Sequence, residues 1–179
     1  MSRVALPDGR YRDVLRSADG GLLFDSGWRS NTIVDSCRVF LTRMMRFDFE
    51  HPLASDNGIV HLAVGRGEEA WDEETPPVDP AVQGLTNPYG TPIPVAALGI
   101  EYLDENGVAT TEQTSRLQIR ATLGTNYPAA LPPFDDYPLR EFGLFGSFDG
   151  DLYQINAIRH PVLRKKTTDT LVRTLRLYF

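Results

Sequence analysis

The stretch that decides the fold occupies residues 139–146 and reads LREFGLFG. It is mostly apolar, begins with an Arg-Glu pair after its first leucine, and carries glycine at two positions where a side chain would obstruct a neighbouring strand. The turn SFDG at residues 147–150 follows it, and a second apolar run covers residues 152–158. Two apolar runs joined by a short turn that contains glycine are typical of a β-hairpin. We therefore predict that these two strands form the central hairpin of a β domain.

Other parts of the chain show the alternation of apolar and polar residues that predicts strands. The segments are residues 12–24, which form a hairpin with its turn at 19–21, and residues 59–64, 97–103, 115–123 and 171–179. Alternation is most regular in residues 115–123, whereas Arg173 interrupts the apolar face of the last strand. Together with the central hairpin, these segments amount to about seven or eight strands.

One helix is predicted over about residues 32–45, with Ser30 or Asn31 as its N-cap. Apolar residues recur there at helical spacing and form one stripe. The stripe consists of Ile33, Cys37, Phe40 or Leu41, and Met44. Cys37 is the only cysteine of the chain, so no intrachain disulfide can form. We expect its thiol to be buried as a small apolar group.

Residues 68–94 interrupt the regular pattern. They contain six prolines and a run of acidic residues, so they cannot form a central strand. A loop of this length inside a compact domain is usually functional or mobile. Its acidic spacing does not match a calcium-binding loop, and the preceding GRG at residues 65–67 lacks the lysine and the helix start of a phosphate-binding loop. We interpret the segment as a loop that contacts a partner protein.

These elements predict a mainly-β fold: an antiparallel β-sandwich with one packed helix. The chain has 179 residues, which is enough for one domain with a substantial core. We therefore expect a single domain over residues 1–179. Within it, residues 1–27 form an N-terminal hairpin, and residues 28–179 form the main β module with the long loop 68–94.

Composition argues against several classes of function. The net charge of −6 disfavours a nucleic-acid-binding or membrane-binding protein. No run of about 18 apolar residues predicts a membrane span, and the N-terminus lacks the apolar core of a signal peptide. His51, His61 and His160 are too scattered for a metal site. The acidic pairs 135–136 and 149/151 stand beside turns, where aspartate is favoured for local hydrogen bonding. We therefore expect no enzyme activity, no metal and no cofactor.

The order of the motifs resembles a known family. The segments are NTIV at residues 31–34, HLAVGRG at 61–67, RLQIRATL at 116–123, LREFGLF at 139–145, DGDL at 149–152, and DTL at 169–171 after the lysines at 165–166. In this order they resemble the baseplate-attachment module of bacteriophage tail-collar fibre proteins, where a helix, a glycine-ended strand, an alternating strand and an Arg-Glu hairpin follow one another. The resemblance covers roughly residues 28–179.

The resemblance implies that the chain is a structural subunit of a phage tail, in the baseplate, tail tip, collar or fibre-docking adaptor. Its partners would be other tail or baseplate proteins and copies of itself, because tail parts surround an axis and a cyclic homo-oligomer is expected there. It would be assembled in the bacterial host cytoplasm and reside in the virion tail. Contractile injection particles use similar parts, so the resemblance extends to them.

Arg140 and Glu141 are the first candidate site residues. We expect them to form a buried or interface pair that fixes the central hairpin; the alternative is a solvent-exposed pair that contributes about 0–1 kcal/mol. Phe142 and Phe145 of the same strand are further candidates for structural or interface contacts.

Aromatic residues on the loops complete the candidate set. Trp71, Tyr89, Tyr127 and Phe134 suit the role of interface anchors. They also suit the alternative function, a receptor- or carbohydrate-binding β-sandwich module, in which aromatic side chains would stack on sugar rings. Saturable sugar binding by the isolated chain would favour that alternative.

Overall fold

The structure, a computed structural model, describes residues 8–46, 57–125, 127–128 and 136–179, without the side chains of residues 42–46. Within those ranges the chain forms eleven strands and one α-helix. The strands are β1 (Asp8–Arg16), β2 (Leu22–Asp25), β3 (Arg29–Ile33), β4 (Gly58–Gly65), β5 (Ile93–Pro94), β6 (Leu98–Leu103), β7 (Ala109–Thr110), β8 (Arg116–Leu123), β9 (Asp136–Phe148), β10 (Asp151–Lys166) and β11 (Thr170–Tyr178). The helix α1 spans Asp35–Arg46, and short 3-10 helices lie at Glu69–Asp72 and Val95–Ala97. The predicted mainly-β fold with one helix is confirmed.

The strands pair in antiparallel fashion in the order β5-β4-β9-β10-β3-β1-β11-β8-β6-β7, with β2 added beside β1. Strand β3 joins two halves of this sheet, because it pairs with β1 and also with β10. One half, the terminal half, contains β1, β2, β11, β8, β6 and β7; the other, the hairpin half, contains β4, β5, β9 and β10. Both halves contribute to a single hydrophobic core, so the sheet folds over on itself in a sandwich-like arrangement.

The core follows from strand alternation, since successive strand residues point to opposite faces. In β8 the inward positions Ile119, Ala121 and Leu123 are fully buried, as the sequence pattern predicts. The hairpin half contributes Phe142 and Leu144 to the same cluster. Burial of a large apolar side chain contributes about 1.5–3 kcal/mol, so this shared core supplies the main driving force that holds the two halves together.

Strands β9 and β10 form the predicted central hairpin. Asp149 and Gly150 make its turn with positive φ values of 55° and 86°, as a type I′ hairpin turn requires. Strand β9 lies between β4 and β10 and is buried along most of its length. Strand β10 continues further than predicted, through Pro161, because a bulge interrupts its pairing with β9 there and proline is tolerated at a bulge.

The predicted position of the helix start, at about residue 32, is wrong. Ser30, Asn31 and Thr32 lie in β3, and α1 begins only at Asp35. Residues 29–33 are extended because their backbone pairs with β1 and β10, and tertiary pairing of this kind overrides a local capping pattern. Asp35 provides an acidic first turn, which suits the positive end of the helix dipole.

The helix buries its apolar side as expected. Cys37 is 1% exposed, which confirms the predicted burial of the thiol, and this burial raises its pKa to about 11. Phe40 is buried next to it and packs on Tyr153 of β10 with ring centroids 5.7 Å apart. The Ser36 hydroxyl donates to the Gln154 carbonyl at 2.6 Å, so α1 is fastened to the hairpin half by packing and by a hydrogen bond.

The number of strands, and the way in which the N-terminal hairpin joins the sheet, also differ from the prediction. The described residues form eleven strands rather than about seven or eight, because the short β3, β5 and β7 carry too few residues for a visible alternation. The predicted N-terminal hairpin of β1 and β2 is confirmed. However, β1 also pairs along its whole length with β11, from Asp8 opposite Tyr178 to Arg16 opposite Thr170.

Candidate functional site

Arg140 fastens the acidic end of the long loop to β9. The residue is 4% exposed. Its Nε and Nη2 donate to the two carboxylate oxygens of Asp72 at 2.8 Å each, and its Nη1 donates to the Arg66 carbonyl at 3.0 Å. Bidentate pairs of this kind fix both distance and orientation. Because the hydrogen bonds from Arg140 favour the charged carboxylate, the pKa of Asp72 is lowered to about 2.

The 3-10 helix Glu69–Asp72 is held against β10 as well. Asp72 Oδ1 accepts a second hydrogen bond, from the Val162 amide at 2.8 Å. Trp71 is 5% exposed, and the guanidinium carbon of Arg159 lies 4.8 Å from its ring centroid. The Trp71 carbonyl accepts from the Thr75 hydroxyl at 2.8 Å. Trp71 is therefore an anchor inside the chain.

Glu141 holds a second point of the loop. Its Oε2 accepts from the Thr86 amide at 2.8 Å and its Oε1 from the Asn87 amide at 2.6 Å. Glu141 is 2% exposed, so these amides replace the water that a carboxylate otherwise binds. Arg140 thus pairs with Asp72 and not with its neighbour Glu141, and the two residues together fix the loop to β9.

Glycines let the loop approach the strand this closely. A Cβ on Gly65 would lie 2.7 Å from the Asn87 carbonyl oxygen and 2.5 Å from a carboxylate oxygen of Glu141. Gly67 has φ +54°, and a Cβ there would lie 2.5 Å from the Trp71 ring. The glycines of the GRG motif therefore allow the loop backbone to lie close to β9.

The other predicted aromatic residues are also used within the chain. Tyr89 is partly buried, and its hydroxyl donates to the Pro138 carbonyl at 3.0 Å. Tyr127 is partly buried, its hydroxyl donates to the Thr91 carbonyl at 2.6 Å, and burial raises its pKa to about 12. Phe134 lies outside the described residues.

Phe142 and Phe145 point to opposite sides of β9. Phe142 is fully buried in the core between the halves. Phe145 is 6% exposed and stacks on His61 of β4 with centroids 4.9 Å apart. Every predicted site residue that the structure describes is therefore engaged inside the chain, as a structural anchor.

A pocket of about 430 Å³ lies beside the loop anchor. Arg66, Asn87, Tyr89 and Asp136 line it together with Arg140. It combines one exposed cation, carboxylate and amide groups, and the face of a tyrosine.

A buried charge cluster that was not predicted from the sequence lies between the two halves. Arg173 of β11 is 0% exposed and pairs through Nε and Nη2 with both carboxylate oxygens of Asp13 of β1, which is 2% exposed. Its guanidinium lies over the ring of Phe142, across the core. Arg173 Nη1 has no hydrogen-bond partner among the described atoms. Burial lowers the pKa of Arg173 while Asp13 raises it, and arginine keeps its charge under such conditions.

His160 of β10 completes this cluster. Its Nε2 lies 3.2 Å from Arg173 Nη2, and its Nδ1 lies 2.7 Å from the Pro161 carbonyl oxygen. Arg173 is always a donor, so Nε2 accepts and Nδ1 carries the proton that is donated to Pro161. This neutral form agrees with the low pKa of His160, about 4, which is caused by burial and by the charge of Arg173.

Two sequence signals point to this cluster. Arg173 occupies an inward position of β11, between Leu171 and Leu175. Asp13 occupies the matching inward position of β1, between Tyr11 and Leu15. Each charge alone reads as an interruption of an apolar face. Only the pairing of β1 with β11 shows that the two charges compensate each other, because it places Asp13 directly opposite Arg173.

No group of three or more metal-ligating side chains is arranged to hold a metal ion in the part of the chain that the structure describes. In the same part of the chain, α1 is too short and too polar to cross a bilayer. Comparison of the sequence and the structure with protein-family profiles, curated proteins and solved structures gave no match.

Proposed function

We propose that this protein is a structural subunit of a bacteriophage tail, acting by assembly with neighbouring tail or baseplate proteins and with copies of itself. The order of sequence motifs suggests this class. The observation that supports it best is the double anchor of Arg140 and Glu141, which fastens residues 68–94 to a rigid sheet. An assembly subunit needs such ordered surface loops, because loops that are already ordered lose less entropy when a neighbour binds.

The anchored loop offers polar contacts to a neighbour. Its exposed acidic residues are Glu68, Glu69, Glu73, Glu74 and Asp79. Charged side chains at the edge of a contact favour the correct partner and orientation more than they add affinity. The loop therefore suits a subunit that must recognise a particular neighbour.

Locating the chain in particles tests the proposal. Antibodies raised against the purified chain are applied to virions from the bacterium or phage that encodes it, and bound gold label is mapped by electron microscopy. We expect label at one position on the tail and the chain in the protein profile of washed particles. Particles that lack the chain would refute a virion role.

A matched pair of variants tests the role of the anchor. Arg140→Ala removes the bidentate pair to Asp72, whereas Arg164→Ala removes an exposed pair to Asp136 in which the Arg164 side chain is 60% exposed. We expect Arg140→Ala to accelerate proteolysis within residues 68–94 and to reduce incorporation into particles. Arg164→Ala should leave both unchanged. Normal proteolysis and normal particle yield with Arg140→Ala would contradict the proposed role of the loop.

A second candidate function is binding of a receptor or carbohydrate. The pocket lined by Arg66, Asn87, Tyr89 and Asp136 favours it, because an aromatic face next to polar groups suits a sugar ring. Glycan-array binding by the purified chain is the test. Saturable binding that Tyr89→Ala abolishes would support this function, and an array without signal would refute it.

A further inference from the structure

An arginine-rich surface covers the terminal half on the side away from the core. Strand alternation directs these side chains outward, because their neighbours Tyr11, Ile119 and Leu177 belong to the core. The surface, called the arginine face below, consists of Arg10, Arg12 and Arg16 of β1, Arg116 and Arg120 of β8, and Arg176 of β11. Fewer carboxylates lie on it or beside it among the described residues: Asp8, Asp25, Glu101 and Asp104, and the charge of Arg116 helps to lower the pKa of Asp104.

The positive charge of this face is only partly compensated. Arg10 is directly opposite Arg176 in the β1–β11 register, and like charges in that position are destabilising. Arg12 is paired with Asp25. Among the described residues, the other five arginines make no ion pair within 4 Å: Arg10, Arg16, Arg116, Arg120 and Arg176. Arg116 interacts with Asp104 at longer range. A chain with a net charge of −6 thus maintains a positive face at an energetic cost, which indicates that the face has a use.

One arginine of the face is held in place by hydrogen bonds and by packing on a ring. Arg176 donates through Nε to the Gln118 side-chain oxygen at 3.0 Å and through Nη2 to the Gly107 carbonyl at 3.1 Å. Trp28, which is 40% exposed, lies 4.5 Å from the Arg176 guanidinium carbon. Tryptophan and arginine are the residues most enriched among those that dominate protein–protein binding.

A surface of opposite charge lies on the other side of the molecule. The acidic loop, residues 68–79, is held against the hairpin half by Arg140. It passes over Arg159 of β10, which points away from the core because its neighbour Ile158 is a core residue; the Arg159 guanidinium lies 4.8 Å from the Trp71 ring centroid and donates to the Pro77 carbonyl at 3.3 Å. Its exposed acidic residues are Glu68, Glu69, Glu73, Glu74 and Asp79. The two outer faces of a sandwich cannot meet within one molecule, so the acidic loop and the arginine face can meet only between molecules.

We propose that copies of this chain associate head to tail, with the acidic loop of one copy seated on the arginine face of the next. The inference rests on the proposed role as an assembly subunit and specifies how its copies meet. A contact between two different surfaces is heterologous, so it generates a closed ring or an open filament.

The charge of the whole molecule favours a second copy, and not a nucleic acid, as the partner that binds the arginine face. A nucleic acid that approached the arginine face would be repelled by the remaining surface, because the rest of the chain is strongly acidic. A second copy presents its acidic loop to the arginine face and keeps its own arginine face free for the next copy.

Sedimentation velocity of the purified full chain at two salt concentrations tests the proposal. We expect oligomers at about 0.05 M salt and their dissociation at about 0.5 M, where screening is effective within a few ångströms. A chain that remains monomeric at both salt concentrations and at high protein concentration would overturn the proposal. Binding of a short DNA duplex in place of self-association would also overturn it.

Charge-reversed variants identify the two surfaces. The face variant carries Arg10→Glu and Arg120→Glu, and the loop variant carries Glu73→Arg and Glu74→Arg. Each alone should weaken self-association by at least about tenfold, because it brings like charges together. An equimolar mixture should assemble again, since the reversed loop of one variant matches the reversed face of the other. Arg164→Glu, off the face, is the matched control.

Each result of the mixing experiment decides whether the head-to-tail contact exists. Restored assembly in the mixture, together with normal assembly of Arg164→Glu, would establish the head-to-tail contact. A mixture that stays as dissociated as the separate variants would overturn it, provided that circular dichroism shows both variants folded; an unfolded variant is replaced by Arg120→Glu or Glu73→Arg alone. Failure here leaves detection of the chain in virions unaffected, whereas absence of the chain from particles would refute the proposed function itself.

Discussion

Replacing Asp13 by asparagine should destabilise this protein far more than most single substitutions. The amide side chain would keep the size and shape of the carboxylate and would lose the negative charge that compensates Arg173. Arg173 is 0% exposed, and the groups around it besides Asp13 include the neutral His160 and the rings of Phe142 and Tyr11, none of which is an anion. Its positive charge would then remain in the core without an anion.

The expected loss follows from the burial of both partners. Removal of one member of a buried ion pair costs about 3–5 kcal/mol, because the other charge stays desolvated. For a domain of this size, that corresponds to a decrease in Tm of roughly 6–20 °C. The combined variant Asp13→Leu/Arg173→Met removes both charges, and we expect it to unfold within a few kcal/mol of the native chain, since well-packed apolar replacements of a buried pair are often neutral or stabilising.

Urea unfolding followed by far-ultraviolet circular dichroism measures these differences. Asp25→Asn is the matched control, because it removes a carboxylate from the exposed pair with Arg12 on the same hairpin; it should cause a much smaller shift of the midpoint. An Asp13→Asn variant as stable as Asp25→Asn would refute the reasoning. So would a combined variant whose loss equals the sum of the losses of Asp13→Leu and Arg173→Met measured singly, because the two charges would then be independent.

Further predictions concern a glycine, a histidine and the cysteine. Gly67→Ala should cost about 1–3 kcal/mol, since φ is +54° and the new Cβ would meet Trp71; Gly84→Ala, where nothing lies within 4 Å, should be harmless in the same urea titration. His160 has its pKa lowered from 6.5 to about 4, so the unfolded chain binds the proton first as the pH falls. Stability is therefore complete above pH 6.5 and decreases by roughly 3 kcal/mol towards pH 4, and His160→Gln should remove most of this slope; an unchanged slope would exclude His160 as its cause. The Cys37 thiol, buried and with its pKa raised to about 11, should react with a thiol reagent only after urea unfolding; rapid reaction of the native chain would contradict its burial.

Local pattern alone predicted the elements whose residues carry their own signal. The central hairpin contains a glycine turn between two long apolar runs, and both predicted strands and the turn are present, although β10 continues beyond its predicted end to Lys166. The inward face of β8 was equally predictable, because strict alternation assigns each residue to one side. Burial of Cys37 followed from its place in an apolar helical stripe.

Part of the candidate site was also visible in the sequence. Arg140 and Glu141 stand out as two charged residues in an apolar strand, and both are buried as expected, although they do not pair with each other as predicted. Their partners were not predictable. Asp72 lies 68 positions before Arg140, and the amides of Thr86 and Asn87 carry no sequence signal, because every residue except proline has one.

Only the tertiary structure decided the features that depend on which strands become neighbours. Residues 30–33 look like the start of a helix, yet they lie in β3, the strand that joins the two halves, because β1 and β10 both pair with its backbone. Asp13 and Arg173 each look like a defect in an apolar strand, and they stabilise each other only because β1 and β11 pair in one register. Alternation is a property of a segment and can be read from it, whereas pairing is a relation between distant segments that exists only once the chain has folded.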